Sequence, residues 1–407
     1  MQLYLFNPDH DEAIAYNKPN YIADKASQAL SADLATLMAW LANDGDYVAV
    51  PDVAAAVQWA QQPAVAACLP RVQWVSSNPR DNSMATLPLT SHSLRPQPWG
   101  WNKQIHHRLQ RMGCTSLPTE RALQHLRQIA HRHTAAKLLA HLRQQLPELV
   151  GEAHLCTTEH EVESAVSVPY TTLLKLPWSG SGRGLRRGFG GLFKPLDGWV
   201  RHALAKQGGV MVEPFYDKVS DFAMEFYIDG ERHKAHYIGI SCFATTGVGG
   251  YAGNRLAADE VLLATVERGL PSGLLSAVRD AICTYLPTLL GSYTGPLGID
   301  MMTIRLPHTA NQLHLHPCVE INVRHTMGHI ACALAPRLAP LSRGHFAIAY
   351  ARTPEALQQE LRATLGPRMT ALHTAQTYAG RIVAGYLPLS PLKDTSLFHA
   401  YIMAEHT

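Results

Sequence analysis

From Val319 to Arg324 the chain alternates strictly: Val319, Ile321 and Val323 are apolar, while Glu320, Asn322 and Arg324 are polar. A β-strand puts alternate residues on opposite faces, and helical spacing would mix the two sets. The segment therefore folds as a strand with one packed face and one face carrying a carboxylate, an amide and a guanidinium in a row. Cys318 is expected on that second face. A carboxylate beside an amide carbonyl is a hard-oxygen pair of the kind Mg²⁺ accepts, since that ion completes its shell with waters and phosphates. The flanking segments are too apolar for an ordinary solvated strand. A second apolar run, Leu297-Gly298-Ile299-Asp300-Met301-Met302, ends on an acid, and Asp300 is a third candidate oxygen donor.

The 407 residues exceed what one ordinary hydrophobic core organises, so two or three lobes are expected. A formal net charge of +3 demands neither a nucleic-acid nor a membrane partner. The apolar start Met1–Phe6 has a strand's length and no basic run before it, which argues against a signal peptide. No window approaches the roughly 20 apolar residues of a spanning helix. Seven scattered cysteines without a Cys-x-x-Cys pair fit reduced thiols in a cytoplasmic protein. His314-x-His316 and His325-x-x-x-His329 offer imidazoles at metal-ligand spacings, yet neither a His-Glu-x-x-His helix nor a cysteine pair accompanies them.

Residues 1 to about 115 alternate strand, turn and helix as a parallel α/β unit does. A strand at Leu3–Phe6 enters the turn Asn7-Pro8-Asp9-His10-Asp11, at the edge where α/β sheets commonly bind ligands; a helix-starting Asx turn explains it as well. A helix is expected from Ser31, followed by a strand at Tyr47–Val50. A long helical region runs from Thr119 to about Gln145, where Pro147 ends it. A capping box opens a helix at Thr158-Glu159-His160-Glu161. After a helix from Thr353, late segments such as Arg381–Tyr386 look like antiparallel strands.

The strand Thr171–Leu176 leads into Pro177-Trp178-Ser179-Gly180-Ser181-Gly182-Arg183-Gly184. Three glycines leave backbone N–H groups open to a polyphosphate, although the loop is neither a Walker A sequence nor a Gly-x-Gly-x-x-Gly fingerprint. Lys175 sits among Leu173, Leu174 and Leu176, where a lysine needs a partner or a cleft. Turned into a cleft, it would meet phosphate oxygens as a point charge.

In order and spacing, these segments from about residue 115 to 335 resemble the ATP-grasp superfamily. The resembling pieces are a basic helix start at Arg132-His133-Thr134-Ala135-Ala136-Lys137, the strand–lysine–glycine loop, the segment Glu213-Pro214-Phe215, and the acid-bearing strands at Asp300 and Glu320-Ile321-Asn322. The resemblance implies an α/β and α+β architecture. It places an N-terminal α/β domain at 1–115, a first lobe with the glycine loop at 116–212, and a second lobe with metal-binding strands at 213–407. Lys137 and Lys175 would contact ATP phosphates under the loop Ser179, Gly180, Ser181, Gly182 and Gly184. Glu213 and Phe215 would line the adenine pocket, and Asp221 would face the ribose. Asp300, Glu320 and Asn322 would hold Mg²⁺ or Mn²⁺, with Arg324 steadying the transferred phosphoryl group. Tyr251-Ala252-Gly253-Asn254-Arg255 resembles an acceptor-site loop, which makes Arg255 a candidate for binding a substrate carboxylate. The implied activity is ligation of a small-molecule carboxylate to an amine through an acyl-phosphate, by a cytoplasmic enzyme that a homo-oligomeric state would suit. The alternatives are a small-molecule kinase on the same fold and a non-catalytic nucleotide-binding protein.

Overall fold

A computed structural model of the chain describes residues 1–78, 94–180, 184–192, 194–245, 251–307, 312–366, 376–378 and 380–406. They divide into two compact units. One comprises Met1–Gln124, Tyr251–Ala258 and His325–Thr407, the other His125–Gly250 and Asp259–Arg324.

The first unit holds a four-stranded parallel sheet in the order Gln73–Ser76, Tyr47–Val50, Gln2–Leu5, Arg95–Pro98. Its strands bury both faces, which is why Tyr47–Val50 is continuously apolar. Leu3, Leu5, Tyr47 and Ala49 pack on Ile105 and Leu109 of the helix Lys103–Arg111. Tyr4, Phe6, Val48 and Val50 face a larger core with Trp40 and Trp59. That core also takes in Ile382, Leu387, Ala400 and Ile402, so residues after 324 pack with the N-terminal strands. The sequence reading had run residues 213–407 together as one lobe; pairing across more than 300 positions is what divides them. The late strands are antiparallel, in the order Tyr251–Leu256, Ser342–Tyr350, Phe398–His406, Arg381–Pro388, Gln376–Tyr378. The helix Pro354–Leu365, capped by Thr353, covers Tyr386 and Tyr401 with Leu357, Leu361 and Leu365.

Two local expectations shift. The helix expected from Ser31 begins at Lys25, where Asp24 accepts the Ser27 N–H at 2.7 Å. The Ser31 hydroxyl donates instead to the Phe6 carbonyl at 3.0 Å, and Ala35–Leu41 tightens into a 3₁₀ helix. The Asn7 side chain bonds the Gly100 backbone in both directions, Nδ2 to O at 2.9 Å and Oδ1 from N at 3.3 Å. The His10 ring lies so close to Gly100 that a Cβ there would stand 2.5 Å from its Nδ1. This turn thus fastens the ends of two neighbouring strands.

The second unit contains two antiparallel sheets. One has the order His154–Cys156, Val210–Pro214, Thr172–Lys175, Leu185–Gly188. The helices Glu159–Val166 and Lys194–Gln207 cover it through Val162, Val166, Leu196 and Val200. The capping box expected at Thr158 is formed. The other sheet runs Leu313–Asn322, Gly295–Arg305, Asp217–Asp229, Lys234–Thr245. The long helical region is two helices, Glu120–Ile129 and His133–Gln145, with His131 and Arg132 in the break.

Candidate functional site

The strand pairing brings the acids together before any side chain is considered. Asp300 lies directly opposite Glu320, and Gly298 opposite Asn322. The pairing then jumps to Met302 opposite His316, so Pro317, Cys318 and Val319 form a bulge facing Met301 alone. Proline is tolerated in strands at such bulges, having no N–H to give the ladder. Pressed against its neighbours, Asp300 is pushed up to about 8 by burial first, then by the charges of Glu320 and Glu225; Arg324 and Asn322 partly offset this. Arg324 donates from Nη2 to Asn322 Oδ1 at 2.9 Å.

On the other sheet, Lys175 faces the strand Val210–Pro214, where its Nζ meets Glu213 Oε2 at 2.6 Å. Both side chains are more than 90% buried. An ion pair at that depth loses its hydration and is weak evidence for stability, so its retention calls for another reason. Cys318 lies on the strand Leu313–Asn322. Its thiol is pushed well above its ordinary value by burial, then by Asp300 and Glu213, with Lys175 opposing and Glu320 adding. The thiol thus feels the charges of two acids on one sheet and of an acid and a lysine on the other.

Arg132, in the break between helices, reaches both regions. Nη1 donates to Leu176 O at 2.5 Å and Ser179 Oγ at 2.6 Å; Nη2 donates to Ser179 O and to Glu320 Oε1, each at 2.8 Å. The sequence reading named Arg132 only as part of a basic helix start and preferred Lys137. Lys137 is exposed on the helix His133–Gln145. With burial acting first, then His133, Arg127, Arg132 and Lys137, His131 is pushed down to about 4. A second missed residue is Glu225, wholly buried and bonded by the Ser241 hydroxyl at 3.1 Å. An acid inside the apolar run Phe222-Ala223-Met224-Glu225-Phe226 was the signal for it.

The glycine loop is described at its two ends. Ser179 and Gly180 are buried; Gly184 returns with φ +71, its carbonyl accepting the Leu176 N–H at 3.0 Å. Ser181 and Gly182 lie outside the described residues. Trp178 is held by three contacts. Arg127 lies 3.7 Å over its ring, His131 stands edge-on at 4.5 Å, and its Nε1 donates to Arg127 O at 2.9 Å. Phe215 is 43% exposed under the Arg187 guanidinium at 4.2 Å. Asp221 is paired with Lys218. Arg255 belongs to the first unit, exposed on the strand Tyr251–Leu256 and opposite His345.

Among the described residues no three His, Cys, Asp or Glu side chains form a ready-made metal cage. Two carboxylates with an amide beside them suit Mg²⁺, which needs few protein ligands when a polyphosphate supplies the rest. The donor set therefore fits the ion.

Neither protein-family models nor curated proteins match the sequence. Solved structures do. The biotin carboxylase of Campylobacter jejuni, solved as a beta-gamma-ATP complex, superposes with a TM-score of 0.50 at 9% identity, covering 99% of this chain and 88% of that one. The biotin carboxylase domain of the Hydrogenobacter thermophilus 2-oxoglutarate carboxylase, solved with MgADP, ADP and bicarbonate, gives 0.50 at 12% identity, covering 98% and 85%. This is the ATP-grasp fold. The N5-carboxyaminoimidazole synthetase of Staphylococcus aureus, in complex with ADP, is also similar, with a TM-score of 0.49 at 10% identity. Lys175 and Glu213 stand on the four-stranded sheet beside the glycine loop, and Asp300, Glu320 and Asn322 on paired strands of the other sheet. Among the described residues no helix is long and apolar enough to cross a membrane.

Proposed function

We propose that this protein is an ATP-dependent carboxylate–amine ligase that activates its carboxylate as an acyl-phosphate and releases ADP and phosphate. The observation that carries this reading is the pairing of Asp300 opposite Glu320 on neighbouring strands, in the same unit as the buried Lys175–Glu213 ion pair. A site that only recognised a neutral ligand would have no use for two opposed carboxylates and a buried lysine, each costly to desolvate.

Lys175 and Arg132 supply fixed positive charge where a polyphosphate would lie, with Ser179 and Gly180 at the start of the loop above it. Glu213 and Phe215 line the adenine pocket, and Asp221 faces the ribose. Arg324, which donates to Asn322, offsets charge on the transferred phosphoryl group in this reading. Asp300, Glu320 and Asn322 would hold a divalent ion, which supplies Lewis-acid polarisation of the phosphate oxygens. Lys137 is a further phosphate contact and Arg255 the carboxylate anchor of the substrate.

The test is calorimetric titration with a non-hydrolysable ATP analogue, with and without Mg²⁺, on the wild type and on the double variant Lys175→Met/Glu213→Leu, which leaves no buried charge alone. Magnesium-dependent binding that the folded double variant loses supports the site. ADP release that depends on both a carboxylate and an amine then identifies the ligase. A stable phosphorylated product without amine would make it a kinase, and no binding at all would end the reading.

A further inference from the structure

Arg132 has a consequence beyond phosphate binding. Its four hydrogen bonds join the two ends of the Leu176–Ser179 turn to Glu320, a residue of the metal strands. Its side chain is 7% exposed, and its remaining donor, Nε, meets no acceptor among the described residues. Glu320 is 25% exposed. The buried partner is thus the cation, and its charge is balanced by a carboxylate that a metal ion would also claim. Lys175 is occupied in the same way by Glu213. In the free protein each buried cation is already neutralised by an acid.

The three ways of loading such a site differ in cost. A divalent cation arriving alone must take Glu320 from Arg132 and strand a desolvated guanidinium. A polyphosphate arriving alone must draw Arg132 away and leave Glu320 facing Asp300 uncompensated. A metal–polyphosphate complex makes both exchanges at once: the metal takes the carboxylate and a phosphate oxygen takes the guanidinium.

We propose that Arg132 is the positioning residue that couples metal to nucleotide, passing Glu320 to a divalent cation only when a nucleotide phosphate replaces the carboxylate on its guanidinium. This rests on the nucleotide site proposed above. Linkage makes the effect reciprocal, so metal strengthens nucleotide binding by the same factor by which nucleotide strengthens metal binding. Because Arg132 also holds Leu176 and Ser179, the exchange reaches the start of the glycine loop.

The experiment measures Mn²⁺ binding to the full chain by electron paramagnetic resonance, with and without ADP, corrected for Mn²⁺ held by ADP in solution. Wild type is expected to bind Mn²⁺ at least about tenfold more tightly with ADP than without. Arg132→Ala is expected to bind Mn²⁺ more tightly than wild type when ADP is absent, and to gain little from ADP. Arg132→Lys keeps the charge without the planar fork and should fall between them; it also serves if circular dichroism shows the alanine variant unfolded. The inference is overturned if wild-type Mn²⁺ affinity is indifferent to ADP, or if a folded Arg132 variant keeps the wild-type ratio. If the wild type binds no nucleotide at all, the site assignment itself has failed.

Discussion

The Lys175–Glu213 pair is the residue-scale contradiction of the site, since a buried ion pair is expensive and an apolar pair of similar volume is often as stable or more so. Removing one partner leaves the other charged and dry. Lys175→Met alone should therefore cost about 3–5 kcal/mol of stability in urea titration. Lys175→Met/Glu213→Leu should recover most of that loss while remaining unable to bind nucleotide. A double variant as unstable as the single one would show that the pair is kept for packing and not for its charges. The sequence made Lys175 suspicious by its leucine neighbours, but Glu213 as its partner depends on strand pairing. Lys175 lies opposite Met211, and Glu213 opposite Leu173. Two strand positions separate the lysine from the acid, and only its length lets the lysine reach across.

At the scale of elements, the glycine loop is anchored by groups outside its glycines. Arg132 bonds its first residue, Trp178 is clamped by Arg127 and His131, and Gly184 closes it in the left-handed region. A Cβ on Gly184 would meet Leu176 Cδ1 at 2.8 Å as well as forcing an L-residue to φ +71. Gly184→Ala should cost about 1–2 kcal/mol from backbone conformation alone, and more unless Leu176 yields. It should also weaken nucleotide binding, because the loop's return to the strand Leu185–Gly188 is displaced. Thermal melting and calorimetry on one preparation check both; unchanged values in each would show that this closure is not needed.

Across the whole molecule, each unit carries a buried neutral histidine. In the first unit His399 lies between Tyr386 Oη at 2.5 Å and Ser390 Oγ at 3.3 Å, and burial pushes it down to about 3. In the second, His316 is pushed down to about 3 by burial first, then Lys175 and Arg143. A folded-state value below the ordinary 6.5 means the unfolded chain takes the proton first. The associated stability is intact above about pH 6.5 and falls as the pH drops toward 3, by about 1.4 kcal/mol per pH unit for each histidine. Melting temperatures should decline in both units between pH 6.5 and 4.5. His399→Gln should flatten that decline in the first unit; a slope unaltered by the substitution would place the acid sensitivity elsewhere.

The sequence by itself determined what short-range periodicity can encode. The alternation of Glu320, Asn322 and Arg324 with valine and isoleucine fixed a strand with a polar face, and the order of lysine, glycine loop and acids pointed to the ATP-grasp fold. Thr158 and Thr353 marked helix starts where the structure has them. The tertiary structure decided what depends on burial and on partners distant in the chain. Arg132 reaches across 188 positions to Glu320, and the strands after residue 325 pack with the first six residues. The bulge at Pro317–Val319 exists only because two strands of unequal residue count are paired. A side chain's identity states what it can donate or accept; which group it meets, and whether water remains between them, is set by contacts that close only when the chain has folded.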